Sequence, residues 1–183
     1  MPFLSIVTRC YKRPKALRLN VVSVAKQTDR DWEQVFITDD EGRGLLWANK
    51  SLYLNRHRVK GDYVLILDDD NILYHNKVVE HLKAVVAAHD PDILIVKLHQ
   101  IKRLLPTDEV WGKQPVFGHI DTGCFVVRHD VWVDNIILFG QPYGGDCAFI
   151  GGLFAQIEYN GWKVCWHDEV MTAIQRVSYG KPE

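Results

Sequence analysis

The chain has 183 residues, of which 47% are hydrophobic and 25% charged, with a formal net charge of −1. That is long enough for one domain with a proper core, and the near-zero charge gives no general pull toward nucleic acid or acidic lipid. No apolar run approaches the roughly 20 residues that span a bilayer, and the opening residues show no leader pattern.

Phe3 to Thr8 reads as a short apolar strand, followed by the loop Arg9-Cys10-Tyr11-Lys12-Arg13. Pro14 suits the first turn of a helix, and Leu17, Val21, Val24 and Ala25 recur at helical spacing to about Gln27. Trp32 to Thr38 is a second strand, ending in Asp39-Asp40-Glu41-Gly42. Leu45 to about Arg56 reads as a helix with Leu45, Leu52 and Trp47 or Ala48 inward.

Tyr63-Val64-Leu65-Ile66-Leu67 then runs straight into Asp68-Asp69-Asp70-Asn71. An apolar run of this kind reads as a strand buried on both faces, as in a parallel sheet. Its aspartates emerge at the carboxyl end, where open α/β sheets bind ligands. Three adjacent anions repel one another and make most sense beside a cation. Hard oxygen donors point to Mg²⁺ or Mn²⁺ shared with a substrate phosphate. The plain alternative is a solvated acidic turn, and for Asp39 a turn cap.

Asn76 to Ala88 is helical and Asp92 to Leu98 is another apolar strand. His99 to Pro115 is irregular and longer than a usual connection, which favours a binding loop or lid, with Trp111 on it. Cys124 to Val127 is a strand and Arg128 to Asn135 a short helix. A helix from Cys147 to Tyr159 closes at Asn160-Gly161, and Trp162 to Trp166 is a last strand before His167-Asp168-Glu169. The final dozen residues carry little pattern. The four cysteines are isolated, without a Cys-x-x-Cys pair; three of them sit in or beside apolar segments and read as small core residues, with a reducing, cytoplasmic setting as the default and disulfides left open. The βαβ alternation predicts an α/β fold with a mostly parallel sheet, yet neither GxGxxG nor a P-loop is present.

Several of these stretches together resemble the GT-A-fold glycosyltransferases of the inverting family-two type. They are Phe3 to Arg9 with Pro14, Phe36-Ile37-Thr38-Asp39-Asp40, Ala48-Asn49, and Gly61-Asp62-Tyr63 through Asp70, where Asp68 and Asp70 fall on the Asp-x-Asp motif. The second half matches through Gly145-Asp146 and His167.

The resemblance implies a single GT-A (Rossmann-like) domain over 1–183, with a nucleotide-binding half at 1–71 and an acceptor-side half at 72–183. It implies transfer of a sugar, of the hexosyl type, from a nucleotide diphosphate-sugar to an acceptor hydroxyl on a glycan, a lipid-linked molecule or a small molecule. Thr8 and Tyr11 are then expected in the nucleoside pocket and Asp39 on the base. Asp68 is expected on the ribose or the metal, Asp70 on a metal bridging the two phosphates, and His167 as a further metal ligand. Arg9, Lys12 and Arg13 add positive charge near the diphosphate, Asp69 is expected in the donor site with the least defined role, and Asp121 reaches donor sugar or acceptor, or serves only its turn. Asp146 is expected as the general base, or else as a helix N-cap. Two other readings stay open: a nucleotidyltransferase that makes a nucleotide-sugar, and a non-catalytic nucleotide- or sugar-binding module.

Overall fold

The structure is a computed structural model in which residues 1–176 are described. Its strands are β1 (Leu4–Cys10), β2 (Trp32–Thr38), β3 (Tyr63–Ile66), β4 (Asn71–Leu73), β5 (Ile93–Gln100), β6 (Arg103–Leu105), β7 (Phe125–Arg128) and β8 (Val164–Ile174). The helices are α1 (Pro14–Ala25), α2 (Leu45–Leu54), α3 (Val78–His89), α4 (His129–Asn135), α5 (Gly145–Phe154) and the single turn α6 (Ile157–Asn160).

All strands belong to one sheet in the order β2-β1-β3-β7-β5-β8-β4, with β6 hairpinned onto β5. β2, β1 and β3 are mutually parallel, as are β5 and β8, whereas β7 runs antiparallel to both β3 and β5. The parallel part predicted for the first half is thus present, and the sheet as a whole is mixed. β7 enters antiparallel because it returns from the long 106–124 segment rather than from a crossover helix.

Strand alternation sorts the core. Leu4, Ile6, Tyr63, Leu65, Leu94 and Val96 pack in one apolar cluster with Val24 of α1 and Val78, Val79, Leu82 and Val85 of α3. Val7, Val64, Ile66, Ile93 and Ile95 pack in another with Leu52 of α2, Trp132 of α4 and Phe149, Ile150 and Leu153 of α5. Both faces are covered, which is why β3 and β5 read as unbroken apolar runs.

Several expectations are corrected. The buried stripe of α1 is Ala16, Asn20 and Val24, whereas Val21 is exposed. Leu45 is exposed, and Leu52 carries the inward face of α2. The late helix begins at Gly145 and ends at Phe154, short of Tyr159. The last strand continues eight residues past the expected end at Trp166, to Ile174, pairing with β5 and then β4. The 99–115 segment folds back through β6, and Trp111 packs edge-on against Trp166 at 5.0 Å under the ammonium of Lys97. That ring is part of the core rather than a lid. Residues 177–183, most of the patternless terminal dozen, lie outside the described residues.

Candidate active site

Because β1, β2 and β3 are parallel, their carboxyl ends lie along one edge of the sheet. β7 runs the other way, so its amino end, preceded by the 122–124 turn, reaches the same edge beside β3. This brings together residues from four separate segments.

β1 extends to Cys10, so Arg9 is a strand residue rather than the start of a loop. Its guanidinium binds Asp68 through two parallel hydrogen bonds, Nε to Oδ1 and Nη2 to Oδ2, each 2.6 Å. The remaining nitrogen donates to Asn49 Oδ1 at 2.5 Å, and Asn49 Nδ2 donates on to the Gln141 carbonyl. Burial opposes the charge on both partners, yet Asp68 lifts the Arg9 pKa and Arg9 holds the Asp68 carboxyl below its ordinary range. Arg13 lies 2.5 Å from Asp69 and also pairs with Asp70. Asp69 is only 1% exposed and accepts the Tyr11 N–H at 2.9 Å. Burial pushes its carboxyl up to about 6, assisted by the charges of Asp68 and Asp70. Asp69 therefore ties the β3–β4 turn to the β1–α1 loop and does not face the cavity.

The backbone of that turn is held from beneath. Buried Asn20 donates to the carbonyls of Leu67, Asp68 and Asn71 at 3.3, 3.0 and 2.9 Å. Gln175 donates its backbone N–H to the Asp70 carbonyl at 2.8 Å. Sequence reading missed both residues. For Asn20 a signal was present: an amide at i+4 from Ala16 and i−4 from Val24, on an otherwise apolar helix stripe.

A cavity of about 890 Å³ opens over this edge, lined by Arg9, Tyr11, Arg13, Asp39, Trp47, Asp68, Asp70, Asp121 and Tyr143 among others. Asp39 accepts the backbone N–H groups of Gly42 and Arg43 at 3.0 and 2.7 Å. Burial works against its charge, but these bonds keep its pKa below the ordinary value. Gly42 sits at φ +75° directly against the Tyr11 ring, so a side chain there would displace Tyr11 from the cavity wall. A smaller cavity of about 160 Å³ adjoins, lined by Arg9, Leu45, Asn49, Asp68, Asp121, Thr122 and Asp146 among others.

Asp146 is the second residue of α5, whose cap is Gly144, so it is not the N-cap. Burial raises its pKa, against hydrogen bonding from the Cys147 amide and the charge of Arg9. Gly145 allows this approach, since a Cβ there would meet Asn49 Nδ2 at 2.7 Å and the Phe139 carbonyl at 2.8 Å. Thr122 Oγ1 lies 3.1 Å from Asp121 Oδ1 and 3.3 Å from Asp68 Oδ2. Burial, then the charges of Asp146 and Asp68, push Asp121 up to about 6.

Arg9, Tyr11, Arg13, Asp39, Asp68, Asp70, Asp121 and Asp146 thus meet at one edge. Thr8 does not: it is fully buried, and its hydroxyl accepts from Gln34 Nε2 at 2.9 Å. His167 lines neither cavity, and its ring bonds Glu169 at 3.0 Å.

The raised carboxyl of Asp121 sets a pH-dependent expectation. Its folded pKa of about 6 exceeds the unfolded value near 3.9, so its contribution to stability is fully present below about pH 3.9. It is lost as pH rises through about 6. Asp121→Asn removes the repelled charge and is expected to stabilise the chain by about 1–2 kcal/mol at pH 8, discounted for partial solvent access, with no gain at pH 4. Melting temperatures of both proteins at the two pH values, in chelator, check this.

Among the described residues no helix is long and apolar enough to cross a membrane. No family model matches the chain, and no curated protein matches it in sequence. Solved structures do. S. aureus TarS 1–349 in complex with UDP aligns with a TM-score of 0.68 at 16% identity, covering 97% of this chain and 61% of that one. The same TarS fragment in complex with UDP-GlcNAc gives 0.63 at 15% identity, covering 96% and 59%. A longer TarS structure gives 0.66 at 13% identity, covering 96% of this chain and 37% of that chain. The chain therefore spans about three fifths of the TarS 1–349 fragment. At these identities the likeness speaks for architecture, and the chain has a GT-A-like fold: a curled mixed sheet with helices on both faces.

Proposed function

We propose that the chain is a nucleotide-sugar glycosyltransferase that transfers a sugar with inversion to an acceptor hydroxyl. The observation that carries this reading is the shared wall of the two cavities: Arg9, Leu45, Asp68 and Asp121 line both. The larger space, running past Asp39, Trp47 and Tyr11, has the size and mixed lining of a nucleotide site. The smaller one ends at Asp146. The likeness to TarS, solved with UDP and with UDP-GlcNAc, supports a donor of that class.

In this reading the Asp39 carboxylate accepts a hydrogen bond from the base, and Tyr11 and Trp47 flank the nucleoside. Arg9 and Arg13 supply fixed positive charge for the diphosphate; they are paired with the aspartates and so cost no reorganisation when charge develops. Asp146 takes the acceptor proton. Its burial and raised pKa move it toward the range in which a carboxylate works as a base near neutrality. Asp121 and Thr122, between Asp68 and Asp146, face the sugar.

Asp68 and Asp70 fit a divalent cation by two observations. They are hard oxygen donors on the cavity wall, and the carboxyls around them outnumber the two guanidiniums, so that their mutual repulsion adds to the burial that pushes Asp69 and Asp121 up. Mg²⁺ or Mn²⁺ held there would neutralise the leaving diphosphate as a Lewis acid. His167, bonded to Glu169, is left out of this set.

The test is release of nucleoside diphosphate from a panel of nucleotide-sugars, with Mn²⁺ and a mixture of sugar and alcohol acceptors. Release from one donor class, at least about tenfold weaker in Asp70→Ala, supports the reading. Equal background release from wild type and Asp70→Ala contradicts it.

A further inference from the structure

β4 carries the chain away from the carboxylate turn, and at its far end a second polar cluster forms. His75 lies in the turn between β4 and α3, His81 near the start of α3, and Glu169 in the middle of β8. The turn is held against β8 by the Tyr74 N–H on the Met171 carbonyl at 2.9 Å. His81 Nδ1 is 2.8 Å and His75 Nε2 3.4 Å from the same oxygen, Glu169 Oε1. The two imidazole rings lie 5.0 Å apart. His167 Nε2 holds the other oxygen, Oε2, at 3.0 Å. His75 Nε2 is shielded from water and makes no hydrogen bond. None of these residues lines either cavity.

We propose that His75, His81 and Glu169 form a Zn²⁺ site, with His167 positioning the carboxylate through its hydrogen bond to Oε2. Among the described residues this is the group of three whose ligand atoms all lie within 4.8 Å of one another. Tetrahedral zinc with ligands about 2.0–2.1 Å away sets neighbouring donor atoms about 3.3 Å apart. The spacing of His75 Nε2 from Glu169 Oε1 already matches this, and that of His81 needs to open by about half an ångström. Two imidazoles and one carboxylate leave a fourth position for water or an exogenous ligand. Imidazole nitrogen favours Zn²⁺ over Mg²⁺ or Mn²⁺, which separates this site chemically from the aspartates.

Loading changes both imidazoles. The Lys77 N–H donates to His75 Nδ1 at 3.2 Å; with Nε2 on the metal, the ring proton moves to Nδ1 and that amide, on an exposed turn, turns to water. His81 Nδ1, now hydrogen-bonded to Glu169 Oε1 at 2.8 Å, exchanges that bond for the metal and carries its proton on Nε2. All four side chains are about a third exposed, so the ion can enter from solvent. The site would tie the β4–α3 turn to β8 across some ninety residues of sequence, at positions 75 and 81 on one side and 167 and 169 on the other.

The experiment uses the untagged chain, stripped with chelator and dialysed, without nucleotide. ZnCl₂ is titrated by calorimetry, and melting is followed with ZnCl₂ or MgCl₂. One Zn²⁺ per chain is expected at this site, with a zinc-induced rise in melting temperature that the histidine variants lose, whereas the response to magnesium, which the aspartates can take, is the same in wild type and variants. His75→Gln with His81→Gln is expected to weaken binding at least 100-fold, and His167→Gln by roughly 10–100-fold. His89→Gln, at the far end of α3, is expected to bind as wild type. Circular dichroism confirms folding, and Glu169→Gln serves if the double variant does not fold. Absence of stoichiometric zinc on folded wild type overturns the proposal. So does equal affinity in wild type and the ligand variants.

Discussion

Arg9→Met is expected to destabilise the protein by about 3–5 kcal/mol, the usual cost of removing one partner from a buried ion pair. The guanidinium makes both hydrogen bonds to Asp68, anchors Asn49 of α2 and lies 5.6 Å over the Phe139 ring. Without it, Asp68 keeps only Thr122 and the more distant charge of Arg13 to set against its burial. For a domain of this size the melting temperature falls by on the order of 10 °C. Combining Arg9→Met with Asp68→Asn is expected to recover part of the loss, because the uncompensated carboxylate is gone; a double-mutant cycle by urea unfolding measures the coupling. A change under 1 kcal/mol in Arg9→Met would show that the pair is not the keystone of this edge.

Asp146→Asn carries the largest expected effect on activity. If Asp146 takes the acceptor proton, the amide keeps size and helix position but loses the basic oxygen. Transfer is then expected to fall by roughly 10²–10⁴-fold. Donor affinity should stay within about twofold, since Asp146 lines the smaller cavity and not the larger. The split between kcat and donor KM is the diagnostic. Transfer at the wild-type rate would remove Asp146 from the mechanism and leave Asp121, the raised carboxyl that shares the smaller cavity with it, to be tested in its place.

Much of this edge was legible in the sequence, for physical reasons that can be named. The run Tyr63 to Leu67 is apolar throughout because both faces of β3 are covered, so its aspartates had to emerge at a strand end. Asp39 and Asp68 share an edge because β2, β1 and β3 are parallel. Thr8 was misread through neglect of strand parity: it alternates with Leu4 and Ile6 onto the α1 side, whereas Arg9 follows Val7 toward the cavity. The link between Arg9 and Asp68 was invisible because the two lie 59 positions apart. β8 was cut short because His167-Asp168-Glu169 looks like a strand end; register shifts opposite Val96 and Lys97 let the strand continue through these polar residues. β4, at three residues, is too short to show a period. Trp111 lies in a loop as expected, but its packing role was hidden because nothing local announces Trp166 as its partner.

The most direct measurement is a calorimetric titration of UDP, in Mn²⁺, into wild type and into Asp39→Ala and Trp47→Ala. A donor site in the larger cavity predicts one nucleoside diphosphate per chain, UDP or another tested in the same way, bound at least about tenfold more weakly by each variant. No binding of UDP or any other nucleoside diphosphate, or binding that neither substitution changes, would contradict it.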